Sequence, residues 1–391
     1  MQLISNLKKH QSNIQKVLFV ANRGRFYHFE KQNMRLLQNK GIEVHFAANF
    51  KSTPLDNVHP DGVILHQLDC TRAPFSKRNI RAYKSLKQII EKEKFDVIHC
   101  HTPVGSVLSR LAARKARRKG TKVIYSAHGF HFYKGAPLKY WMLFYPVEWV
   151  CSWMTDVLIT INREDYKRAK KHLHAKEIHY VPGVGVNTKK FNIHSFTDTE
   201  RLEKRHLLGV NDDDIMLVAA GELNSNKNHQ VVIQALLQLK NKNIKFFIAG
   251  SGNLKHELKK IIHDNGLDNN VHIIGFRKDL PELYRCADIF VFPSKREGLS
   301  VALMEAMASG LPVICSDIRG NQDLIDNGKG GYRIQPTNIE QWSFTIAKMI
   351  SEKNQWKQYG MYNQDKISRS FSRNVVETSI VDIYDDEFSE G

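Results

Sequence analysis

Short apolar runs rich in β-branched residues alternate with longer amphipathic segments along most of this 391-residue chain. Such alternation is typical of βα units and predicts an α/β protein with mostly parallel sheets. The first set of predicted strands is Lys16–Ala21, Ile42–Ala47, Asp96–His99, Lys122–Ser126 and Val157–Ile161. The second set is Ile215–Ala220, Lys245–Ala249, Val271–Ile274, Ile289–Phe292 and Pro312–Cys315. The pattern runs through twice and therefore predicts two successive Rossmann-like domains.

A polar, charged stretch without strand periodicity separates the two sets of strands. We place an N-terminal domain at 1–186, a linker at 187–214, a C-terminal domain at 215–364, and a C-terminal helix with an acidic tail at 365–391. Ligands of such folds bind beyond the carboxyl ends of the strands. Two facing domains therefore predict an interdomain cleft.

The formal net charge of +18 is unevenly distributed. Residues 1–186 hold 32 Lys and Arg against 13 Asp and Glu, whereas the remainder holds 26 against 27. A one-sided basic surface suggests a nucleic acid, an acidic substrate or the anionic inner leaflet of a membrane as partner, and solvated lysine-rich faces are the simpler alternative. No RNA- or DNA-binding signature accompanies the charges, so we expect no nucleic-acid partner.

Membrane-spanning and secretory segments are not expected. No stretch approaches the roughly 20 apolar residues that cross a bilayer, and the first residues, MQLISNLKKHQSNIQ, lack the apolar core of a signal peptide. We expect a cytoplasmic protein that can lie peripherally on the inner face of the membrane. The aromatic-rich segment Tyr140–Met154 fits a buried core helix and an interfacial helix equally well, given the basic clusters at 114–119 and 167–171.

The sharpest motif is KREGLSVALMEAMASGLP at 295–312, directly after a predicted strand. Ser300 is a predicted N-cap and Gly310 a predicted residue just past the helix end. The free amides of a helix N-terminus beyond a parallel strand can bind a diphosphate. Glu297 precedes this helix and Glu305 lies inside it, so one carboxylate can face a sugar and the other a nucleoside.

Glu297 and Glu305, with seven residues between them and with Glu305 opening the run EAMASGLPVI, resemble the E-x7-E motif of retaining GT-B glycosyltransferases of family four. The resemblance covers nearly the whole chain. It implies that Glu297 contacts the transferred sugar as a catalytic residue and that Glu305 binds the ribose hydroxyls. It also implies a nucleotide-sugar substrate without a metal or other cofactor. The further donor-binding residues that it implies in this motif are Gly298, Leu299, Ser300 and Val301.

A second match is GELNSNKNH at 221–229, where the family usually has G-R-L-x-x-x-K-G. Lys227 keeps the family's lysine, which holds the donor diphosphate, but Glu222 replaces the arginine. A carboxylate cannot neutralise a diphosphate, so more of this role falls on Lys227 and the helix amides. An exposed lysine at a helix start is the alternative for Lys227, and Glu222 leaves a non-catalytic nucleotide-sugar sensor as an alternative for the protein.

Glycines after another predicted strand argue against a dinucleotide enzyme. GSGNLK at 250–255 lacks the third glycine of the G-x-G-x-x-G fingerprint. We interpret Gly250 and Gly252 first as turn glycines and second as donor contacts.

Histidines of the N-terminal domain give a weaker signal. In SAHGFHF at 126–132, His128 aligns with the family's histidine close to the donor sugar and is a predicted catalytic residue, whereas His131 is a weaker candidate. His99 and His101 form a His-x-His pair, but no third ligand stands at a useful spacing. We therefore predict no metal site.

Arg23-Gly24-Arg25 follows the first predicted strand, where the family has a glycine loop near phosphates and acceptor. Two arginines suit a phosphate, and glycine permits close backbone approach. The alternative is an ordinary βα turn with solvated arginines.

The run HGFHFYKGAPL, with the YPVE segment after it, resembles bacterial enzymes that build capsule or exopolysaccharide on a polyprenyl diphosphate. This resemblance implies transfer of a hexose or N-acetylhexosamine from a UDP-sugar to a lipid-linked acceptor, with retention of anomeric configuration. A transferase of the same fold with a soluble acceptor and a basic nucleic-acid-binding protein are the alternatives.

Overall fold

The computed structural model describes residues 14–55, 62–191 and 197–389, with side chains up to residue 386. Most of the N-terminal segment that lacks a signal-peptide pattern, residues 1–13, lies outside this range. The chain divides into two compact units, one of Met1–Val184 with Val376–Gly391 and one of Gly185–Val375. Each unit is built around one parallel sheet.

The first unit has a seven-stranded sheet in the order β3-β2-β1-β4-β5-β6-β7. Its central strands are buried apolar runs, as expected when helices cover both faces of a parallel sheet. The strand order reverses between β1 and β4, and ligands of doubly wound folds bind at such a switch point. The strands are β1 Lys16–Val20, β2 Glu43–Ala48, β3 Ile64–Gln67, β4 Val97–His101, β5 Lys122–Ala127, β6 Val157–Thr160 and β7 Glu177–Tyr180.

Two helices of the first unit begin after residues whose side chains accept a hydrogen bond from a free amide of the first turn. Ser76 Oγ accepts from the Arg78 amide, and Asn162 accepts from the Asp165 amide. The helices are α1 Tyr27–Asn39, α2 Lys77–Glu93, α3 Pro103–Ala112, α4 Arg114–Arg117, α5 Leu138–Ser152 and α6 Arg163–His172, with a 3₁₀ turn at Gly24–Phe26.

The second unit has a six-stranded parallel sheet in the order β10-β9-β8-β11-β12-β13, with its switch point between β8 and β11. Its strands are β8 Ile215–Ala220, β9 Ile244–Ala249, β10 Val271–Gly275, β11 Ile289–Phe292, β12 Val313–Ser316 and β13 Gly331–Ile334. The remaining helices are α7 Asp198–Leu207, α8 His229–Leu239, α9 Lys255–Asp264, α10 Leu280–Cys286, α11 Val301–Ala308, α12 Arg319–Leu324, α13 Ile339–Ser351, α14 Trp356–Ser370 and α15 Arg373–Ser389. Two parallel Rossmann-like sheets are thus present, as the sequence predicts.

The segment interpreted as a linker, 187–214, contains a helix of the second unit. Thr197 and Glu200 form a reciprocal capping box that starts α7. Arg201 and Arg205 then hold Asp288 through bonds of 2.7 and 2.9 Å. This part of the chain is therefore folded onto the second sheet and does not act as a free connection.

The C-terminal segment, predicted as a separate helix and tail over 365–391, is divided between the two units. Helix α14 ends at Ser370 in the second unit, whereas residues from Val376 onward belong to the first. The Tyr384 hydroxyl lies 2.9 Å from His99 Nδ1, and Lys40 Nζ lies 2.6 Å from Asp385 Oδ1. Helix α15 also contributes the core side chains Val376, Ile380, Ile383 and Tyr384.

Helix α5 lies in the aromatic segment for which the sequence left core and interface open. Trp141, Phe144 and Tyr145 pack against the core of the first unit. The opposite face exposes a row of large apolar side chains: Leu138, Met142, Leu143, Val147, Trp149 and Val150, with Trp153 just beyond the helix end. No helix among the described residues is long and apolar enough to cross a membrane.

Candidate functional site

Lys227 and Glu297 meet at the switch point of the second sheet, after β8 and β11. Lys227 Nζ lies 2.7 Å from Glu297 Oε1 and 4.9 Å from the centroid of the Phe292 ring. The two charged side chains are 20% and 17% exposed. The structure thus brings together two residues that the sequence singled out separately, and it leaves both within reach of a ligand.

Side chains of asparagine hold the Lys227 loop in place. Asn224 Oδ1 accepts from the Lys227 amide at 3.0 Å. Asn226 Nδ2 donates to the Arg296 carbonyl at 3.0 Å, and the Lys295 amide donates to the Asn226 carbonyl at 2.8 Å. The loops after β8 and β11 are therefore tied to each other, which fixes Lys227 opposite Glu297.

Helix α11 begins at Val301, shortly after Glu297, and Ser300 is its N-cap residue as the sequence predicts. Ser300 Oγ accepts from the Leu303 amide at 3.3 Å. The amides of Val301 and its successor are first-turn groups, which have no acceptor within the helix. Together with Gly298 and Leu299 they form the strand–loop–helix arrangement expected for a diphosphate site.

Arg319 is a cation beside this site that the sequence did not single out. Its Nε donates to the Glu297 carbonyl at 3.1 Å, and the residue is buried. Arg319 opens helix α12 just after β12, the strand next to β11. Its position at the end of the neighbouring strand is the signal that could have identified it.

Glu305 lies on α11 in a half-buried position. Burial raises the pKa of its carboxyl to about 7, and the charge of Lys190 opposes this shift. Near neutral pH the group therefore exists in both protonated and ionised forms, so it can either donate a hydrogen bond to a hydroxyl or accept one from it.

Gly250 and Gly252 allow two loops of the second unit to touch. A Cβ at Gly250 would lie 1.8 Å from the Gly221 carbonyl oxygen, and one at Gly252 would lie 2.4 Å from the Leu223 carbonyl oxygen. Leu223 also donates its amide to the Ser251 carbonyl at 3.0 Å. Both glycines are needed for this packing, which agrees with their interpretation as turn glycines, and their contact with a donor stays a prediction.

Glu222, which replaces the family's arginine, has an exposed side chain. Lys227 pairs with Glu297 and not with Glu222. The unusual carboxylate thus leaves the lysine's ion pair undisturbed.

The loop Arg23-Gly24-Arg25 follows β1 at the switch point of the first sheet. Gly24 is buried, its amide donates to Thr53 Oγ1 at 2.7 Å, and a Cβ there would lie 2.2 Å from the Thr53 carbonyl oxygen. Both arginines have exposed side chains. Close packing therefore explains the glycine, whereas phosphate or acceptor binding by Arg23 and Arg25 stays a prediction.

His128, after β5, belongs to a cluster of three titratable groups in which His101 contacts both His128 and Glu30. Its Nε2 lies 3.2 Å from His101 Nδ1, and Glu30 Oε1 lies 3.6 Å from the same Nδ1. Asn33 Nδ2 donates to Glu30 Oε2 at 2.8 Å. Burial raises the pKa of Glu30 to about 7, lowers the pKa of His128 to about 4, and lowers that of His101 well below its ordinary value.

The sequence patterns did not identify Glu30 as a site residue, and they indicated no third ligand for the His99 and His101 pair. The three donor atoms of Glu30, His101 and His128 lie within 4.8 Å of one another, close enough to hold a metal ion. The ends of β1, β4 and β5 are neighbours in the sheet, which is why residues so far apart in sequence meet.

His99 and His131 lie outside this cluster. His99 Nδ1 contacts the Tyr384 hydroxyl at 2.9 Å and its Nε2 contacts Ser126 Oγ at 2.8 Å, so its ring joins α15 to the sheet. His131 stacks on Phe144, with ring centroids 4.4 Å apart. Neither histidine contributes a ligand atom to the cluster of Glu30, His101 and His128, although the His99 ring packs against the His101 ring.

Comparison with known proteins identifies the family. The family model "Glycosyl transferase 4-like" matches residues 16–162, and "Glycosyl transferases group 1" matches residues 200–366. The chain is 39% identical to the Bacillus subtilis (strain 168) protein named EpsD, over 94% of this chain and 96% of that protein.

A second relative and a solved structure agree with this. The UDP-Gal:alpha-D-GlcNAc-diphosphoundecaprenol alpha-1,3-galactosyltransferase of Escherichia coli is 28% identical over 82% of this chain and 84% of its own. Anabaena HepE, solved in complex with UDP and glucose, superposes with a TM-score of 0.77 at 18% identity, over 95% of this chain and 100% of that one. The chain therefore belongs to the group 1 glycosyltransferases and has the α/β GT-B fold.

Proposed function

We propose that this protein transfers a hexose or N-acetylhexosamine from a UDP-sugar to a polyprenyl-diphosphate-linked sugar, with retention of anomeric configuration, in capsule or exopolysaccharide synthesis. The observation that carries the proposal is the Lys227–Glu297 ion pair at the N-terminus of α11. The name of the Escherichia coli relative gives UDP-Gal as its donor and a diphosphoundecaprenol-linked sugar as its acceptor. This supports the choice of a UDP-sugar and a lipid-linked acceptor.

The chemical task is to stabilise a departing diphosphate and an oxocarbenium-like sugar. Lys227 and the first-turn amides of α11 supply positive charge and dipoles for the diphosphate. Glu297 orients Lys227 through their 2.7 Å contact and contacts the transferred sugar. Glu305 binds the ribose hydroxyls from within the helix. Glu297 is essential in this proposal without being assigned as a nucleophile, and no metal is required.

The exposed face of α5 supports peripheral attachment to the inner face of an anionic membrane. Met142 is 66% exposed and Trp153 is 58% exposed. Trp and Tyr side chains are enriched at membrane–water interfaces. Arg117 Nη1 donates to the Trp153 carbonyl at 3.2 Å, so a basic groove of about 500 Å³ adjoins this face. The basic residues that line the groove are Arg114, Arg117, Arg118, Lys122 and Lys176. An apolar stripe beside cations fits an anionic leaflet.

Val150→Glu is expected to weaken vesicle binding. Val150 is 53% exposed on the apolar face of α5, and a carboxylate there is both costly to bury and repelled by anionic lipid. Partitioning onto phosphatidylglycerol-containing vesicles should fall at least about tenfold, which corresponds to 1.4 kcal/mol of lost apolar and electrostatic attraction. Phe276→Glu, at a 74% exposed site in the second unit, is the matched control. Equal binding by both variants would contradict attachment through α5.

Transfer itself is tested with purified protein, bacterial membranes and a panel of labelled UDP-, GDP- and ADP-sugars. We expect label from one UDP-sugar in the organic-extractable lipid and none with Glu297→Gln. Label confined to water-soluble product would instead favour a transferase of the same fold with a soluble acceptor. Binding of a nucleotide sugar without turnover on any acceptor would favour the sensor that Glu222 suggests.

A further inference from the structure

Glu30, His101 and His128 form a continuous series from the buried interior of the first unit to its surface. We propose that Glu30 and His101 are positioning residues that hold His128 in the neutral Nδ1–H tautomer, so that His128 offers an N–H donor to the sugar substrate. Only the role of His128 toward a substrate rests on the proposed function. The tautomer is a property of the free protein.

The position of the proton on the His101 ring follows from the surroundings of its Nε2 atom. His101 Nε2 is buried and has no hydrogen-bond partner among the described residues. Aromatic rings surround it, with the Phe26 and His99 centroids 5.1 and 4.4 Å from its own. Buried N–H groups without an acceptor are rare in folded proteins. His101 therefore carries its proton on Nδ1.

The tautomer of His128 follows from that of His101. His101 Nδ1 lies 3.2 Å from His128 Nε2, so its N–H donates and His128 Nε2 accepts. A neutral imidazole has one donor and one acceptor nitrogen, which places the proton of His128 on Nδ1. Burial lowers the pKa of both rings, so both are neutral at pH 7. His128 is partly exposed and can reach a ligand.

Glu30 reinforces this arrangement through its charge. Its Oε1 lies 3.6 Å from His101 Nδ1, too far for a hydrogen bond but close enough for a strong electrostatic effect in a buried site. A carboxylate at this distance favours a proton on the nearest ring nitrogen. The Asn33 amide, which donates to the other carboxylate oxygen at 2.8 Å, keeps Glu30 turned toward His101.

A metal ion held by the same three groups is the competing explanation. A histidine bound to a metal through one nitrogen usually donates its other N–H to a carboxylate, a carbonyl or water. His101 Nε2 meets no such acceptor among the residues that the structure describes. The geometry therefore favours a shared proton over a metal ion, and zinc retained at one equivalent by the purified chain, but lost in Glu30→Gln, would overturn the proposal.

Long-range ¹H–¹⁵N spectra of the ¹⁵N-histidine-labelled full chain distinguish protonated from bare ring nitrogens. We expect His128 to be protonated at Nδ1, with its signals assigned from His128→Gln. Spectra are recorded at pH 8, where Glu30, whose pKa is about 7, is mostly ionised. Glu30→Gln should produce a mixture of the two His128 tautomers. A His128 protonated at Nε2 in the native chain would overturn the proposal.

The first unit contains a matched control for this substitution. Glu43 Oε1 lies 2.7 Å from His45 Nε2, and His45 Nδ1 lies 2.7 Å from His66 Nε2. Glu43→Gln therefore makes the same chemical change beside a different histidine pair and should leave the His128 signals unchanged. Equal effects of Glu43→Gln and Glu30→Gln on His128 would overturn the proposal.

Kinetics give a second measurement. Glu30→Gln is expected to lower kcat/KM about tenfold, which is the lower end of the loss seen when the hydrogen-bonded partner of a metal-bound histidine is removed. Calorimetric affinity for UDP should stay unchanged, and Glu43→Gln should match the wild type in rate. Unchanged kcat/KM in Glu30→Gln would overturn the positioning role. A wild-type chain without transferase activity would instead refute the proposed function, while the spectra would still decide the tautomer.

Discussion

Glu297→Gln is expected to lower the transfer rate by about 10²–10³-fold, the usual cost of removing one preorganised electrostatic group from an active site. Glutamine keeps the shape of the side chain but removes the charge that faces Lys227 Nζ at 2.7 Å. Lys227 then loses its orienting partner, and the sugar loses a carboxylate contact. The measurement is the initial rate of label transfer at saturating donor.

The same substitution at two other glutamates tests whether the loss of transfer rate is specific to Glu297. Glu257 is exposed on α9 of the same unit, and Glu257→Gln should leave the rate unchanged. Glu305→Gln should raise the KM for the donor more than it lowers kcat, because its proposed partner is the ribose and not the reacting carbon. A Glu297→Gln variant that keeps most of its activity would show that the ion pair with Lys227 is structural.

Glu148→Ala is expected to destabilise the first unit by about 3–5 kcal/mol, because it leaves a buried guanidinium without its counter-charge. Arg110 and Glu148 form a bidentate pair of 2.5 and 3.2 Å between α3 and α5, and both residues are buried. The guanidinium carbon of Arg110 also lies 4.4 Å from the centroid of the Tyr125 ring. Urea unfolding followed by circular dichroism measures the loss.

An exposed pair and an apolar replacement provide the controls. Glu91→Ala removes the partner of Lys115 at an exposed site 3.7 Å away, and this change should stay below about 1 kcal/mol. The double variant Arg110→Met with Glu148→Leu should recover most of the stability, since well-packed apolar residues often replace a buried ion pair without loss. A single Glu148→Ala variant as stable as Glu91→Ala would contradict this account of the core.

Local sequence patterns predicted the strands that form the centres of both sheets. Ile215–Ala220 and Ile289–Phe292 are observed with the predicted bounds. Their apolar runs are buried on both faces and are bounded by turn residues, so the composition of these segments is enough to identify them as strands. Strand β3, Ile64–Gln67, was missed because it is a short edge strand with little burial, and its apolar run is confined to Val63, Ile64 and Leu65. Helix α7 was missed although its capping box, Thr197 and Glu200, is a readable signal.

The local arrangement of the Glu297–Glu305 segment could be predicted from the sequence, whereas the cluster of Glu30, His101 and His128 could not. Glu297, Ser300 and Glu305 lie on one strand–loop–helix segment, so their relation depends on short-range geometry. Glu30 and His101 come together only because β1 and β4 are neighbours in the sheet. Strand order depends on long-range packing, and no spacing in the sequence encodes it.

The assignment of α15 to the first unit determines when that unit can finish folding during synthesis. Val376, Ile380 and Tyr384 leave the ribosome after the whole second unit, yet they fill the core around β1 and β4. The second unit, Gly185–Val375, is a continuous stretch of chain and is translated in between. The first unit is therefore completed only after the second has been translated, and a fragment that stops after the second sheet would lack part of the first unit's interior.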